Sequence, residues 1–205
     1  FSEWSPEEPE GSYPPNMVFQ QTQIDDPVLN SEMTEPYFLE PGEYHPDDAG
    51  QIGFPYNLTR RTRINGLGEN GISFINTGRG RDLGAALLAV DTRGTEEIFA
   101  DFRAATITPN SRIYGLRMQY RVGTVAPFRD VLNDEGEPVE YLRSETPGDV
   151  QHFRDIALPP EVVGHPYVQL RWKYYHVSGD DGPRAELRLD DVQVYSEQFT
   201  SIADQ

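Results

Sequence analysis

From residue 59 onward the apolar side chains recur at every second position, in runs that turn residues cut short. That period fits a β-strand with one buried and one wet face, and helical spacing is not found. In Tyr167–Val177, Val168, Leu170, Trp172 and Tyr174 share one face, and Gln169, Arg171, Lys173 and Tyr175 share the other. Arg112–Val122 repeats the pattern, with Tyr114, Leu116, Met118, Tyr120 and Val122 opposed by Arg117, Gln119 and Arg121. Further candidate strands are Ile72–Asn76, Ala85–Asp91, Glu97–Ile107, Phe128–Leu132, Val139–Arg143, Gln151–Leu158 and Arg184–Tyr195, with one more around Met17–Gln20. About ten strands suffice for two packed antiparallel sheets, so an all-β sandwich is expected.

Two strands carry extra information. Leu83 to Val90 is apolar on both faces, which calls for a central strand covered on both sides, with the N-terminal segment as a candidate cover. In the last strand Leu187 and Leu189 point inward on odd positions, whereas Val192 and Val194 do so on even ones. The phase change across Asp190 and Asp191 predicts a β-bulge there. Two adjacent carboxylates brought to one side of a sheet suit a hard, oxygen-seeking cation, so Asp190 and Asp191 are candidate ligands for Ca²⁺. The plain alternative is that they are solvated or paired with Arg184 or Arg188.

The 205-residue chain is long enough for one core with an appendage. The appendage is the first 58 residues, which hold nine prolines, twelve acidic residues and no Lys or Arg, and so most of the net charge of −17. We therefore divide the chain into an acidic, Pro-rich extended arm (1–58) and a β-sandwich domain (59–205). The arm is too rich in aromatic and aliphatic patches for a plain disordered linker. Among them Met17, Val18 and Phe19, and again Tyr37, Phe38 and Leu39, could pair or pack. Two hosts are open to the arm: its own sandwich, or a neighbouring copy that accepts it as a donated strand.

Charge and motif exclude several functions. A net charge of −17 gives nucleic acid and anionic lipid no electrostatic reason to bind. No apolar run reaches the roughly 18 residues of a membrane span, so no membrane insertion is expected. Without cysteine there is neither a disulfide nor a thiolate metal site. His45, His152, His165 and His176 show no metal spacing, and no G-x-S-x-G elbow is present. Gly66, Gly68 and Gly71 spell G-x-G-x-x-G, but a strand follows them instead of a helix, so a tight inter-strand loop is expected rather than a dinucleotide site. Asp25-Asp26, Asp47-Asp48 and Asp180-Asp181 read as solvated turn pairs outside any calcium-loop pattern.

The stretches Ile64–Asn76 (INGLGENGISFIN), Leu83–Arg93 (LGAALLAVDTR), Thr108–Gly123 (TPNSRIYGLRMQYRVG), Tyr167–Tyr175 (YVQLRWKYY) and Gly182–Val194 (GPRAELRLDDVQV) resemble uncharacterised β-sandwich modules of large secreted bacterial proteins. The closing LRLDDVQV is similar to the final strand of jelly-roll carbohydrate-binding modules, where an Asp near this position helps hold a structural Ca²⁺. The resemblance implies a jelly-roll-like sandwich without a demonstrated activity.

These readings lead to a non-catalytic, secreted protein of the bacterial cell surface or extracellular space. Loop composition and a first residue that is Phe rather than Met favour that location. The leading expectation is a structural subunit of a filament, tube or surface layer, in which the arm docks on the next copy of the same chain. The alternative is a carbohydrate-binding module with a structural calcium ion. Its polysaccharide platform would use Tyr175 or Trp172 with Arg171, Lys173, Arg117 and Gln119. Catalysis is kept as a remainder, because a pair of carboxylates is all that glycoside hydrolysis requires.

Overall fold

The computed structural model describes residues 1–8, 13, 14, 16–21, 62–76, 84–123 and 126–196. These form eleven strands: β1 (Met17–Gln21), β2 (Thr62–Gly66), β3 (Ile72–Asn76), β4 (Gly84–Val90), β5 (Ile98–Thr108), β6 (Ile113–Val122), β7 (Arg129–Asp130), β8 (Glu140–Leu142), β9 (Val150–Ala157), β10 (Val168–Ser178) and β11 (Glu186–Ser196). A single 3₁₀ turn, Pro160–Val162, precedes β10. One sheet runs β1-β4-β10-β6-β7, with β8 also on β6, and the other runs β2-β3-β11-β5-β9. Every pairing between these strands is antiparallel. From β3 to β6 the chain changes sheet at each step, and it does so again from β9 to β11, so the sandwich is jelly-roll-like. Among the described residues no helix is long and apolar enough to cross a membrane.

Inner faces follow the parity of the sequence. Trp172 and Leu170 of β10, Met118 and Leu116 of β6 and Ala86 of β4 meet Phe102, Ala104, Phe74, Leu187 and Leu189 of the other sheet in one buried cluster. Rings stack within each sheet and also meet across the gap between the sheets, where Phe74 lies parallel to Tyr174 at 5.9 Å. Phe102 lies parallel to Phe153 at 4.3 Å and edge-on to Trp172 at 5.7 Å. Tyr174 stacks on Tyr114 at 4.6 Å, and its buried hydroxyl donates to the Ala185 carbonyl at 2.6 Å, so the large ring brings no unsatisfied group into the core.

The strand expected at Leu83–Val90 is β4, flanked by β1 and β10 and buried on both faces: Ala86 points inward, and Ala85, Leu87 and Ala89 on the outer side are also buried. Strand β2 is the element that periodicity does not reveal. Its inner positions are Thr62, Ile64 and Gly66, so a single large apolar residue marks it. The glycine cluster after it is the tight loop expected, closed by the Leu67 N–H donating to the Gly71 carbonyl at 2.9 Å. A Cβ on Gly71, whose φ is +73°, would lie 2.2 Å from the Leu189 carbonyl oxygen, so the loop can approach β11 this closely only as glycine.

The described part of the arm belongs to the core of its own chain. Strand β1 pairs with β4 from Met17↔Leu88 to Gln21↔Gly84, and Met17 and Phe19 are fully buried. Trp4 bridges to Gly68 and meets Phe19 edge-on at 4.9 Å, while Phe1 exchanges two 2.7 Å hydrogen bonds with Val192. This corrects the expectation for Met17, Val18 and Phe19 as residues held out to a neighbour, since their strand is spent on a ladder within the chain. Tyr37, Phe38 and Leu39 lie outside the described residues.

Candidate functional site

The residues proposed for a sugar platform are brought together, with one exception. Cross-strand pairing places Arg121 beside Gln169, Gln119 beside Arg171 and Arg117 beside Lys173 on the outer face of the β6–β10 pair, with Tyr175 at the end of the row. Trp172 has the opposite parity and is in the core. The remaining row is not an open platform, because Arg171 is 1% exposed, Lys173 4% and Tyr175 3%. The side chains hold one another. Arg171 donates to Gln119 at 2.7 Å, Gln119 to Asp130 at 2.6 Å, and Arg121 to Gln169 at 2.6 Å.

Phe128 lies under the Arg171 and Arg121 guanidinium groups at 3.9 and 4.6 Å. Arg117 donates to Glu140 at 2.8 Å and to the Tyr175 hydroxyl at 2.9 Å, and that hydroxyl in turn donates to Glu140. Burial, then the Glu140 carboxylate, pushes the Tyr175 phenol well above its ordinary range. Burial would lower the Arg117 guanidinium, but its bond to Glu140 raises it on balance. This face is a buried charged layer whose side chains bond one another, and stacking of a sugar on Tyr175 would first require its exposure.

The predicted bulge exists. Along β11 and β5 the register steps from Asp190↔Arg103 to Gln193↔Asp101, so Asp191 and Val192 together oppose Phe102. Asp191 has a φ of +49°, a conformation that Asp tolerates better than most residues. The two carboxylates part company there. Asp190 turns inward and accepts the Asp191 N–H at 2.8 Å, and its burial raises its carboxyl above the usual range. Asp191 pairs with Arg103 at 2.8 Å. Among the described residues no three His, Asp or Glu side chains gather as a metal site, and a cation at this bulge would have to displace Arg103. The donor set does not fit the calcium ion expected for Asp190 and Asp191.

A second bulge faces the first across β5. Between β5 and β9 the pairing steps from Phe102↔Phe153 to Ala100↔Ile156, so Arg154 and Asp155 oppose Asp101, and Asp155 has a φ of +51°. Two bulges on either side of Asp101 and Phe102 open a cleft of about 370 Å³ on the outer face of the five-stranded sheet. Asp101, Arg103, His152, Arg154, Asp191 and Gln193 give it its polar lining. Asp101 is the hub, accepting the Asp155 N–H at 2.8 Å and the Tyr195 hydroxyl at 3.1 Å. That hydroxyl also bonds Asp155 at 2.6 Å; the two carboxylates, Asp155 first, together with burial, raise the Tyr195 phenol well above its ordinary range.

Beside the cleft on the same face, the Tyr195 ring lies alongside Phe99, with centroids 5.8 Å apart and planes 27° from parallel, and both residues are partly buried. The sequence reading missed this cleft. Its signal was the outward parity of Phe99, Asp101 and Arg103 in β5, an aromatic residue followed by charged ones, but the bulges that bring Tyr195, Gln193 and Arg154 to them left a sequence trace only at Asp190-Asp191.

No family model matches the sequence. No curated protein matches it either. Solved structures with a similar arrangement include TmCBM61 in complex with β-1,4-galactotriose, at 10% identity and a TM-score of 0.35, covering 64% of this chain and 73% of that one. Another is the family 11 carbohydrate-binding module from Clostridium thermocellum in complex with a β-1,3-1,4-mixed-linked tetrasaccharide, at 10% identity and 0.35, covering 66% and 81%. The enzymatically active domain of bacteriophage CBA120 tailspike protein 4 matches at 12% identity and 0.35, over 89% of this chain and 19% of that one. Likenesses this loose leave the function to be argued from the residues of the cleft.

Proposed function

We propose that this protein is a non-catalytic, extracellular binding module that takes a neutral polysaccharide along the outer face of its five-stranded sheet. The observation that carries the reading is the continuity of the Phe99–Tyr195 ring pair with the polar cleft around Asp101. A pyranose has an apolar C–H face, which stacks on an aromatic ring, and an edge of hydroxyls that asks for planar donors and acceptors. The cleft supplies both kinds of edge partner: carboxylates that accept, guanidinium groups that donate, and the Gln193 amide that does either. Charge favours a neutral chain. Arg103 is compensated by Asp191, and a protein of net charge −17 repels an anionic polymer.

Binding is favoured over hydrolysis because both carboxylates that line the cleft are engaged, Asp101 by the Tyr195 hydroxyl and the Asp155 N–H, and Asp191 by the Arg103 guanidinium. A hydrolase needs one of its pair as a free acid and the other as a nucleophile or base. Affinity electrophoresis in gels cast with neutral polysaccharides tests the reading. At least one should retard the protein, and Tyr195→Ala should weaken that retardation about tenfold, the loss expected of one stacking contact. Unretarded migration in every gel would overturn it.

A further inference from the structure

The polar lining of the cleft divides into side chains that the protein itself engages and side chains that it leaves to a ligand. Asp101 accepts the Asp155 N–H and the Tyr195 hydroxyl, and Arg103 is paired with Asp191. Among the described residues, no hydrogen bond or ion pair engages the side chains of His152, Arg154 and Gln193. Arg154 owes its freedom to the bulge in β9. If the ladder ran on from Arg103↔His152 and Phe102↔Phe153 without a shift, Arg154 would stand opposite Asp101, and a cross-strand ion pair would be expected. The shift brings Asp155 to Asp101 instead: its backbone N–H bonds the Asp101 carboxylate, and its own carboxylate shares the Tyr195 hydroxyl with Asp101. The Arg154 guanidinium is left exposed in the wall of the cleft.

We propose that Arg154 selects the linkage of the bound glycan, by donating from both arms of its guanidinium to two adjacent ring hydroxyls. This rests on the glycan reading of the cleft. Guanidinium donors lie in one plane at a fixed spacing, and two neighbouring hydroxyl oxygens of a pyranose meet that fork much as the two oxygens of a carboxylate do. A 1,4-linked hexopyranose chain keeps O2 and O3 of every internal residue free and offers such a pair. A 1,3-linked chain spends O3 on the linkage, so its free ring hydroxyls, O2 and O4, are not neighbours. The ligand class that follows is a neutral glycan whose linkages leave adjacent ring hydroxyls free, as 1,4 linkages do.

Charge and position both suit this role. Asp101 and Asp191 are set against Arg103 and Arg154 in the lining, so the cleft holds as many carboxylates as guanidinium groups and gives an anionic acceptor no advantage over a hydroxyl pair. Asp155, next to Arg154 in the chain, and Asp101 hold the Tyr195 hydroxyl between them at 2.6 and 3.1 Å, so the fork and the stacking ring are tied to one cluster. Gln193, opposite Asp101 on β11, presents an amide oxygen to accept from the sugar hydroxyls. A guanidinium without a protein partner gives up no ion pair on binding, so its bonds to the sugar add to affinity.

The test is titration calorimetry with cellohexaose, xylohexaose and mannohexaose, all 1,4-linked, and with laminarihexaose, which is 1,3-linked, on the native protein and on Arg154→Lys and Arg154→Gln. Thermal melting confirms that each variant is folded. The native protein should bind at least one 1,4-linked sugar about tenfold more tightly than laminarihexaose. Arg154→Lys keeps the charge and loses the fork, so it should weaken the preferred sugar about tenfold and leave laminarihexaose unchanged, and Arg154→Gln should do the same. A merely structural role would lower both affinities together and leave the preference standing. Laminarihexaose bound as tightly as any 1,4-linked sugar, or a folded Arg154→Lys that keeps the native preference, would overturn the assignment and leave the cleft reading intact. So would a failure of all four sugars to bind a protein that a polysaccharide gel retards, whereas neither binding nor retardation would overturn both.

Discussion

At the bulge in β11, the Asp190 carboxyl is raised above its ordinary value of 3.8 because burial penalises its charged form. A carboxyl whose folded pKa lies above its unfolded one favours folding when protonated. Its contribution is present below the unfolded value and is lost as pH rises through the folded one. Asp190→Asn keeps an oxygen for the Asp191 N–H and removes the charge. The variant should melt higher than the native protein at pH 7, with the gain vanishing near pH 3. A lower melting temperature at both pH values would show that the carboxylate stabilises the bulge. Gly71, which touches the same strand, should tolerate no side chain. Gly71→Ala combines a positive φ with a Cβ 2.2 Å from the Leu189 oxygen, so urea unfolding should report a loss of more than about 1 kcal/mol.

Strand β1 closes one edge of the six-stranded sheet and contributes Phe19, which meets Phe1, Trp4 and Tyr13 edge-on. Phe19→Ala should therefore cost about 3–5 kcal/mol in denaturant unfolding, as a buried ring in a packed core does. A cost near zero would mean that the strand is a loose attachment. How far each element could be read in advance follows from its side chains. Val168, Leu170, Trp172 and Tyr174 announce β10 because four successive inner positions are large and apolar, and the phase change after Leu189 announces the bulge. Thr62 and Gly66 conceal β2, since neither marks an inward face. Parity put Arg171, Lys173 and Tyr175 on one face correctly, but whether a face is covered depends on what packs over it, which alternation along a single strand does not encode. The cleft was hidden for a related reason. It is made by two register shifts beside β5, and residues as distant as Arg154 and Gln193 become neighbours only once three strands are aligned.

On the scale of the whole molecule the two outer faces differ in kind. The face of β6 and β10 is a buried charged layer whose members bond one another, and the face of β9, β5 and β11 is an open cleft with partly buried rings at one end. Ligand binding belongs to the second face alone under the proposed function. Backbone amide chemical-shift mapping, with the polysaccharide that retards the protein most as titrant, tests this directly. It predicts shifts concentrated at Phe99 to Arg103, His152 to Asp155 and Asp191 to Tyr195. Shifts centred on Arg117 to Arg121 and Gln169 to Tyr175, with the β5 residues unmoved, would contradict it.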